Sequence, residues 1–68
     1  MPMMPWQSLS SSMLVRATYD PDTGTLYLQF ASGQTYTYDD VPVSVYTGLL
    51  EADSPGQYYH ANIKGTYS

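Results

Sequence analysis

The sequence predicts a small α+β domain in which a three-stranded antiparallel β-meander is followed by two short helices. Two neighbouring segments, TLYLQF and QTYTY, alternate in side-chain character, which is typical of half-buried strands. After Pro42 the apolar residues recur at helical spacing, and a second helix start follows at Ser54. The closing residues 66–68 leave room for one more short strand, and this part of the prediction stays open.

The length of the chain limits it to one domain. A chain of 68 residues buries only about 60% of its unfolded surface, so its stability is marginal and a homo-oligomer is an expected source of support. Residues 1–10 are rich in Met, Pro and Ser and are predicted to form an irregular N-terminal arm, while residues 11–68 form the domain. Two alternatives remain for the arm: Trp6 and Leu9 pin it to the body, or it frays as termini do.

Three features concern the compartment. Cysteine is absent, which fits a reducing environment. The start MPMMPWQ lacks the basic residues and the long apolar stretch of a secretory signal, and no apolar run is long enough to cross a bilayer. We therefore expect a cytoplasmic protein.

The strands are separated by turn sequences. The first strand is predicted over residues 12–20 and is followed by the turn DPDTG, in which Pro21 fixes φ and Gly24 accepts a positive φ. The second and third strands are predicted over residues 25–30 and 34–38.

The direction of Tyr36 and Tyr38 depends on the length of the turn that precedes them. A turn of two or four residues would place both rings on the face away from Leu28. A three-residue turn over 31–33 ends with Gly33 at the position that requires a positive φ, and it also puts the apolar residues on one face. We therefore predict that Leu28 faces Tyr36 and that both tyrosines are at least partly buried.

Two helices complete the predicted fold. The first has an apolar stripe formed by Val45, Tyr46, Leu49 and Ala52. Pro42 suits its first helical position. In the second helix Ser54 is the predicted N-cap, Pro55 takes the first position and Gln57 completes a capping box, with an end near Gly65.

The predicted core combines the inner faces of the hairpin and of both helices. Its members are Leu26, Leu28, Phe30, Tyr36, Tyr38, Val45, Leu49, Tyr59 and Ile63.

No combination of residues is typical of an enzyme active site. His60 is the single histidine and cysteine is absent, so a zinc site would lack ligands. Neither a nucleophile elbow nor a glycine-rich phosphate loop is present. Asp39 and Asp40 are adjacent, and neighbours on a strand point to opposite faces, so these acids suit helix entry better than acid–base catalysis. We predict a non-enzymatic protein without catalytic residues, metal, cofactor or small-molecule substrate.

The charge balance bears on the choice of partner. Six acidic residues stand against two basic ones, Arg16 and Lys64, which gives a net charge of −4. Binding to nucleic acid draws its affinity mainly from clustered basic residues, so this balance disfavours nucleic acids and anionic membranes.

One surface is nevertheless a candidate for contact with a partner. On the second helix Tyr59 and Ile63 share the inner face at i, i+4 spacing, which leaves the intervening side chains more exposed. The candidate contact residues are Tyr58, His60, Asn62 and Lys64 on this helix, Tyr27 on the open sheet face, and Arg16 in the first predicted strand. An ordinary amphipathic helix with a solvated side is the plainer interpretation, and both remain open.

The order and spacing of the motifs resemble the KTSC domain over residues 11–67. The matching features are Ser11-Ser12, Tyr19-Asp20, Leu26, Phe30, Gly33, Tyr36-x-Tyr38, Val41-Pro42, Tyr46, Ala52-x-Ser54-x-Gly56, Tyr59, Ile63 and Tyr67. That family is named for the C-terminus of some lysyl-tRNA synthetases and also occurs as small free-standing bacterial and phage proteins. The resemblance implies no catalytic residues, and its synthetase context suggests RNA binding.

Two functions follow as hypotheses. The first is a non-enzymatic binding or assembly module that contacts protein, either a larger partner or a second copy, because tyrosine is enriched at protein interfaces. The alternative is a module that binds RNA or single-stranded nucleic acid, which depends on the resemblance and on the aromatic content.

Overall fold

The described residues fold into four strands followed by two helices. A computed structural model describes residues 5–67 of the chain. The elements in chain order are β1 (Gln7–Ser8), β2 (Leu14–Asp20), β3 (Thr25–Phe30), β4 (Thr35–Tyr38), α1 (Val43–Glu51) and α2 (Pro55–Asn62).

The strands form one antiparallel sheet in the order β1-β2-β3-β4, and the helices pack on one of its faces. The helices pack against each other and against the sheet, and the Tyr59 ring of α2 lies 5.3 Å from the Phe30 ring of β3. We call the side covered by the helices the helix face and the other side the second face. The α+β class and the meander are therefore confirmed, with one strand more than predicted.

The β3–β4 hairpin has the predicted register. Leu28 is opposite Tyr36 and Leu26 is opposite Tyr38. The Phe30 amide donates to the Gln34 carbonyl at 2.8 Å, and the turn closes at Gly33, which has φ 98°. Only a residue that tolerates positive φ suits this position, and that requirement selected the three-residue turn.

The turn between β2 and β3 also follows the prediction. The Gly24 amide donates to the Asp20 carbonyl at 2.8 Å, and the Asp22 amide donates to the Asp20 carboxylate at 3.0 Å. Near the start of β2 the register shifts between Leu14 and Arg16, so Val15 is an extra, exposed residue. This irregularity is a β-bulge, which a pattern of alternation does not reveal.

The N-terminal arm is more regular than predicted. Gln7 pairs with Ala17 and Ser8 with Arg16, so an edge strand lies where an irregular segment was expected. Gln7 and Ser8 have no strand signal of their own, and the free edge of β2 supplies their hydrogen-bonding partners. The predictions for residues 1–4 lie outside the described residues.

A further strand was predicted over residues 66–68, and its described residues, 66 and 67, do not join the sheet. Tyr67 makes only an isolated bridge with Lys64, and Ser68 lies outside the described residues. The fourth strand of the sheet therefore comes from the N-terminal side of the chain.

The helix starts are nearly as predicted. Pro42 has ψ 147° and is the residue before the first turn of α1, one position earlier than expected. In α2 the Ser54 hydroxyl accepts from the Gln57 amide at 3.4 Å, and Pro55 takes the first position. The cap prediction for α2 is confirmed because Ser54 satisfies an amide that has no partner within the helix.

The core differs from the prediction mainly in its tyrosines. The predicted residues that are buried are Leu26, Leu28, Leu49, Tyr59 and Ile63, and those half-buried against them are Phe30, Tyr38 and Val45. Tyr36 has the predicted direction, but it is 47% exposed and is not a core residue.

Two tyrosines that were not assigned to the core are buried in it. Tyr19 and Tyr46 stack with ring centroids 5.5 Å apart, and the Tyr19 hydroxyl donates to the Val41 carbonyl. This bond satisfies a buried hydroxyl and ties β2 to the segment that leads into α1.

Candidate interaction surface

Five aromatic rings form a continuous group at the β4 side of the helix face. We call this group the aromatic cluster; it comprises Phe30, Tyr36, Tyr38, Tyr59 and His60. Tyr59 is its centre, with Phe30 at 5.3 Å, His60 at 5.5 Å and Tyr38 at 6.1 Å between ring centroids. The edge-to-face arrangement is a favourable geometry for aromatic pairs.

The cluster runs from the core to the solvent. Tyr59 is 7% exposed, whereas Tyr36, which contacts Phe30 at 5.2 Å, is exposed along with His60. The Tyr36 hydroxyl donates to the side chain of Gln34. Tyr36 is therefore a large ring held in place by Phe30 and Gln34, with part of its area open to a partner.

Inside the cluster two hydroxyl groups bond to each other. The Tyr38 and Tyr59 oxygens are 2.7 Å apart. Burial and this hydrogen bond raise the pKa of Tyr38 well above its usual value. Burial also raises the pKa of Tyr46. The Tyr38 and Tyr46 hydroxyls therefore remain neutral at physiological pH.

The β4 strand is an edge of the sheet. Within residues 5–67 it pairs only with β3. The Phe30–Gln34 bond fixes the alternation of an antiparallel ladder, so the backbone N–H and C=O groups of Thr35 and Thr37 point away from β3. These groups face outward at the same edge as Tyr36.

Negative charge gathers at one end of this edge. Asp39 and Asp40 follow β4 directly and are exposed, and the Asp20–Gly24 turn lies beside them because the Val41 amide donates to the Gly24 carbonyl at 2.9 Å. The two basic residues lie elsewhere, on β2 and after α2.

The second face carries a different contact. The Arg16 guanidinium lies over the Trp6 ring, 4.5 Å from its centroid, and donates to the Gln29 side chain. This cation–π contact attaches the arm to the sheet, as one of the two alternatives for the arm predicted. Tyr27 pairs with Thr18, which is fully buried, and is itself half-buried.

The predicted contact residues do not form one site. Arg16 and Tyr27 lie on the second face, whereas His60 and Asn62 are exposed on α2 and Lys64 just beyond it, on the helix side of the sheet. The sheet therefore separates the two groups.

Tyr58 is not part of the exposed surface as predicted. Its ring is half-buried against Gly48 of α1, so close that a Cβ atom at position 48 would lie 2.3 Å from the Tyr58 hydroxyl. The Tyr58 backbone carbonyl also accepts a hydrogen bond from the side-chain nitrogen Nδ2 of Asn62 at 3.2 Å. Tyr58 was predicted to be exposed from the spacing on a single helix, and the packing of α1 against α2 explains why its ring is instead half-buried against Gly48.

The prediction missed the exposure of Tyr36. Tyr36 was placed in the core because it shares a face with Leu28. The available signal was that β4 is the last strand of the meander, and the last strand is an edge that helices cover less completely. No comparable signal indicated that the Trp6 ring lies over Arg16, because this position depends on the pairing of β1 with β2.

Residues 5–67 contain no cavity and no group of three His, Cys, Asp or Glu side chains that could hold a metal ion. In the same range no helix has the length and apolar character needed to cross a membrane.

A four-stranded antiparallel meander with two helices on one face defines a small α+β module whose distinctive groups lie at an edge rather than in a cleft. The model of the KTSC domain family matches residues 10–67, and the chain belongs to that family.

The relatives are of two kinds. An uncharacterized protein of Stutzerimonas stutzeri is 42% identical over 57 residues, which cover 84% of this chain and 80% of that protein. A lysine–tRNA ligase of a Nostoc species is 49% identical over 49 residues, which cover 72% of this chain and only 9% of the ligase. The crystal structure of a KTSC domain protein from Yersinia pestis matches with a TM-score of 0.91 and 34% identity, covering 98% of this chain and 93% of that one. Sequence similar to this chain therefore occurs both in small proteins and in a minor part of much longer ligases.

Proposed function

We propose that this chain is a non-enzymatic binding module that contacts a protein through the β4 edge and the exposed part of the aromatic cluster. The observation that carries the proposal is Tyr36, a tyrosine 47% exposed on an edge strand and held in place by Phe30 and Gln34. Tyrosines of this kind are frequent anchors of protein interfaces, because they offer a large rigid contact area and a hydroxyl.

The proposal is tested by removing the ring. Chemical crosslinking with identification by mass spectrometry and light scattering would first establish a partner protein or a second copy. Tyr36→Ala is expected to weaken the complex by about five- to thirty-fold, as for an interface residue worth about 1–2 kcal/mol. Val15→Ala is the matched control, because Val15 is also exposed but lies on β2, two strands from this edge. A strict monomer without any crosslinked protein would refute the proposal.

The alternative, binding of RNA or single-stranded nucleic acid, is favoured by two observations. The rings of Tyr36 and His60 are exposed and could stack with bases, and KTSC-matching sequence occurs within proteins named as lysine–tRNA ligases. The net charge of −4 and the engagement of Arg16 with Trp6 act against it. Fluorescence anisotropy with labelled RNA at low salt is the test, since low salt favours charge-driven association most. The absence of binding there would refute this alternative.

A further inference from the structure

We propose that the β4 edge accepts an extended peptide of a partner protein as a fifth strand, with a basic residue of that peptide beside Asp39 and Asp40. This inference rests on the proposed function and names the kind of partner.

The first support is the backbone of the edge. Thr35 and Thr37 direct their N–H and C=O groups away from β3, and in the described part of the chain no other strand lies beside them. Proteins commonly protect such an edge with lysine, proline, a bulge or an inward-pointing charge. The TYTY sequence of β4 has none of the protecting residue types, and its register with β3 is regular. An added strand would find the outward N–H and C=O groups of Thr35 and Thr37 as donors and acceptors.

The second support is the side chains at the edge. Tyr36 is on the helix face, whereas Thr35 and Thr37 are on the second face. A peptide residue opposite Tyr36 would therefore lie against its ring, and an apolar or aromatic residue suits this place.

The third support is the charge that follows the strand. Asp39 and Asp40 are exposed at the end of β4, and Asp20 lies at the same end of the sheet, because Asp20 pairs with Thr25 and Thr25 precedes the Leu26–Tyr38 pair. A peptide with a basic residue at this end would be attracted there. A second copy of the chain would instead bring another net charge of −4, so the charges favour a basic peptide over self-pairing.

The geometry specifies the pattern of the peptide. The neighbours in this sheet are all antiparallel, and in an antiparallel pair a step forward on one strand is a step backward on the other. From Tyr36 to Asp39 and Asp40 the chain advances by three and four residues. The expected peptide therefore carries Lys or Arg three or four positions before an apolar or aromatic residue.

The experiment selects peptides without assuming a sequence. A phage-displayed library of random dodecapeptides is selected against the full chain, and enriched peptides are synthesised, labelled and titrated. We expect the basic-then-apolar pattern, and nuclear magnetic resonance shifts concentrated at residues 35–40. Enriched peptides that bind another surface, or that lack the pattern, would overturn the inference and leave the proposed function standing.

Backbone variants test the added strand itself. Thr37→Pro removes an N–H that points away from β3 and is expected to lower affinity at least tenfold, while Thr37→Val keeps the N–H and should change it less than about twofold. The double variant Asp39→Asn, Asp40→Asn should weaken peptide binding about two- to fivefold and reduce its salt dependence, because it removes two negative charges. Asparagine is chosen because it tolerates the φ of 57° at position 40. Unchanged affinity in correctly folded Thr37→Pro would overturn the inference.

Hydrogen exchange of the unmodified chain gives a readout that does not depend on the folding of any variant. The Thr35 and Thr37 amides should exchange quickly in the free protein and become protected when a selected peptide is bound. A lack of added protection would overturn the inference. A concentration-dependent dimer that is lost in Thr37→Pro would also overturn the inference and would support assembly through the same edge. A strict monomer with no selected peptide and no crosslinked protein would refute both proposals.

Discussion

The contact between Gly48 and Tyr58 predicts how Gly48→Ala changes the stability of the protein. A steric clash and a gain in helix propensity act in opposite directions, and the sign of the change in the free energy of unfolding shows which is larger. The Tyr58 ring lies over Gly48, and a Cβ atom added there would be 2.3 Å from the hydroxyl oxygen and 2.8 Å from Cζ. Both distances are far inside van der Waals contact, so in Gly48→Ala the Tyr58 ring must shift away from position 48.

The expected change in the free energy of unfolding is the difference between the cost of overpacking and the gain in helix propensity. Overpacking of this kind costs about 1–3 kcal/mol in the free energy of unfolding. Replacing a helical glycine by alanine returns about 0.8–1 kcal/mol, since alanine has the higher helix propensity. We expect Gly48→Ala to destabilise the protein by about 1 kcal/mol, which lowers the Tm by about 4–8 °C for a domain of this size.

The assay is a double-mutant cycle of Gly48→Ala and Tyr58→Ala. The free energy of unfolding of each variant is measured by urea denaturation, monitored by circular dichroism. In the Tyr58→Ala background the obstructing ring is gone, so Gly48→Ala should stabilise by about 0.8–1 kcal/mol. The two backgrounds then differ by about 2 kcal/mol, within the range measured for residues in contact. A Gly48→Ala variant that is more stable than the parent chain, or the same change in both backgrounds, would refute the reasoning.

Three further predictions concern the core, the tyrosine hydroxyls and a helix cap. Leu49→Ala should cost about 2–5 kcal/mol because Leu49 is fully buried, while Leu50→Ala next to it should cost far less, as measured by urea denaturation. Because burial and the Tyr59 bond raise the pKa of Tyr38, its contribution to stability is fully present below about pH 10, the ordinary pKa of an unfolded tyrosine, and is lost above it. The urea midpoint should therefore fall above that pH, and should fall less in Tyr38→Phe. Ser54→Ala should lower stability by about 1 kcal/mol and Ser54→Asp should not, since aspartate also accepts from the first turn; equal Tm losses in both would contradict the cap.

The parts of the fold that could be predicted are those fixed by local chemistry. Strand β3 has the predicted bounds because six alternating residues lie between two turn sequences. The β3–β4 register followed from Gly33 and from the need to put apolar residues on one face. Ser54, Pro55 and Gln57 marked the start of α2 because capping depends on a few adjacent residues.

The candidate site was predictable only in part. The sequence correctly indicated that Tyr59 of α2 and Ile63 just after this helix are buried and that His60 is exposed. It misjudged Tyr36 and Tyr58, because their exposure depends on how far one helix covers the last strand and on how closely the two helices approach. Neither quantity is encoded in the spacing along a single element.

By itself the sequence determined the order of the elements from β2 to α2, the turn chemistry, the direction of the hairpin side chains and the acidic balance, because each depends on neighbouring residues or on composition. Only the tertiary structure decided that Gln7–Ser8 becomes an edge strand, that Trp6 lies over Arg16, and that β4 remains the open edge. These features join residues that are distant along the chain, and such contacts form only when the packed core brings their partners together.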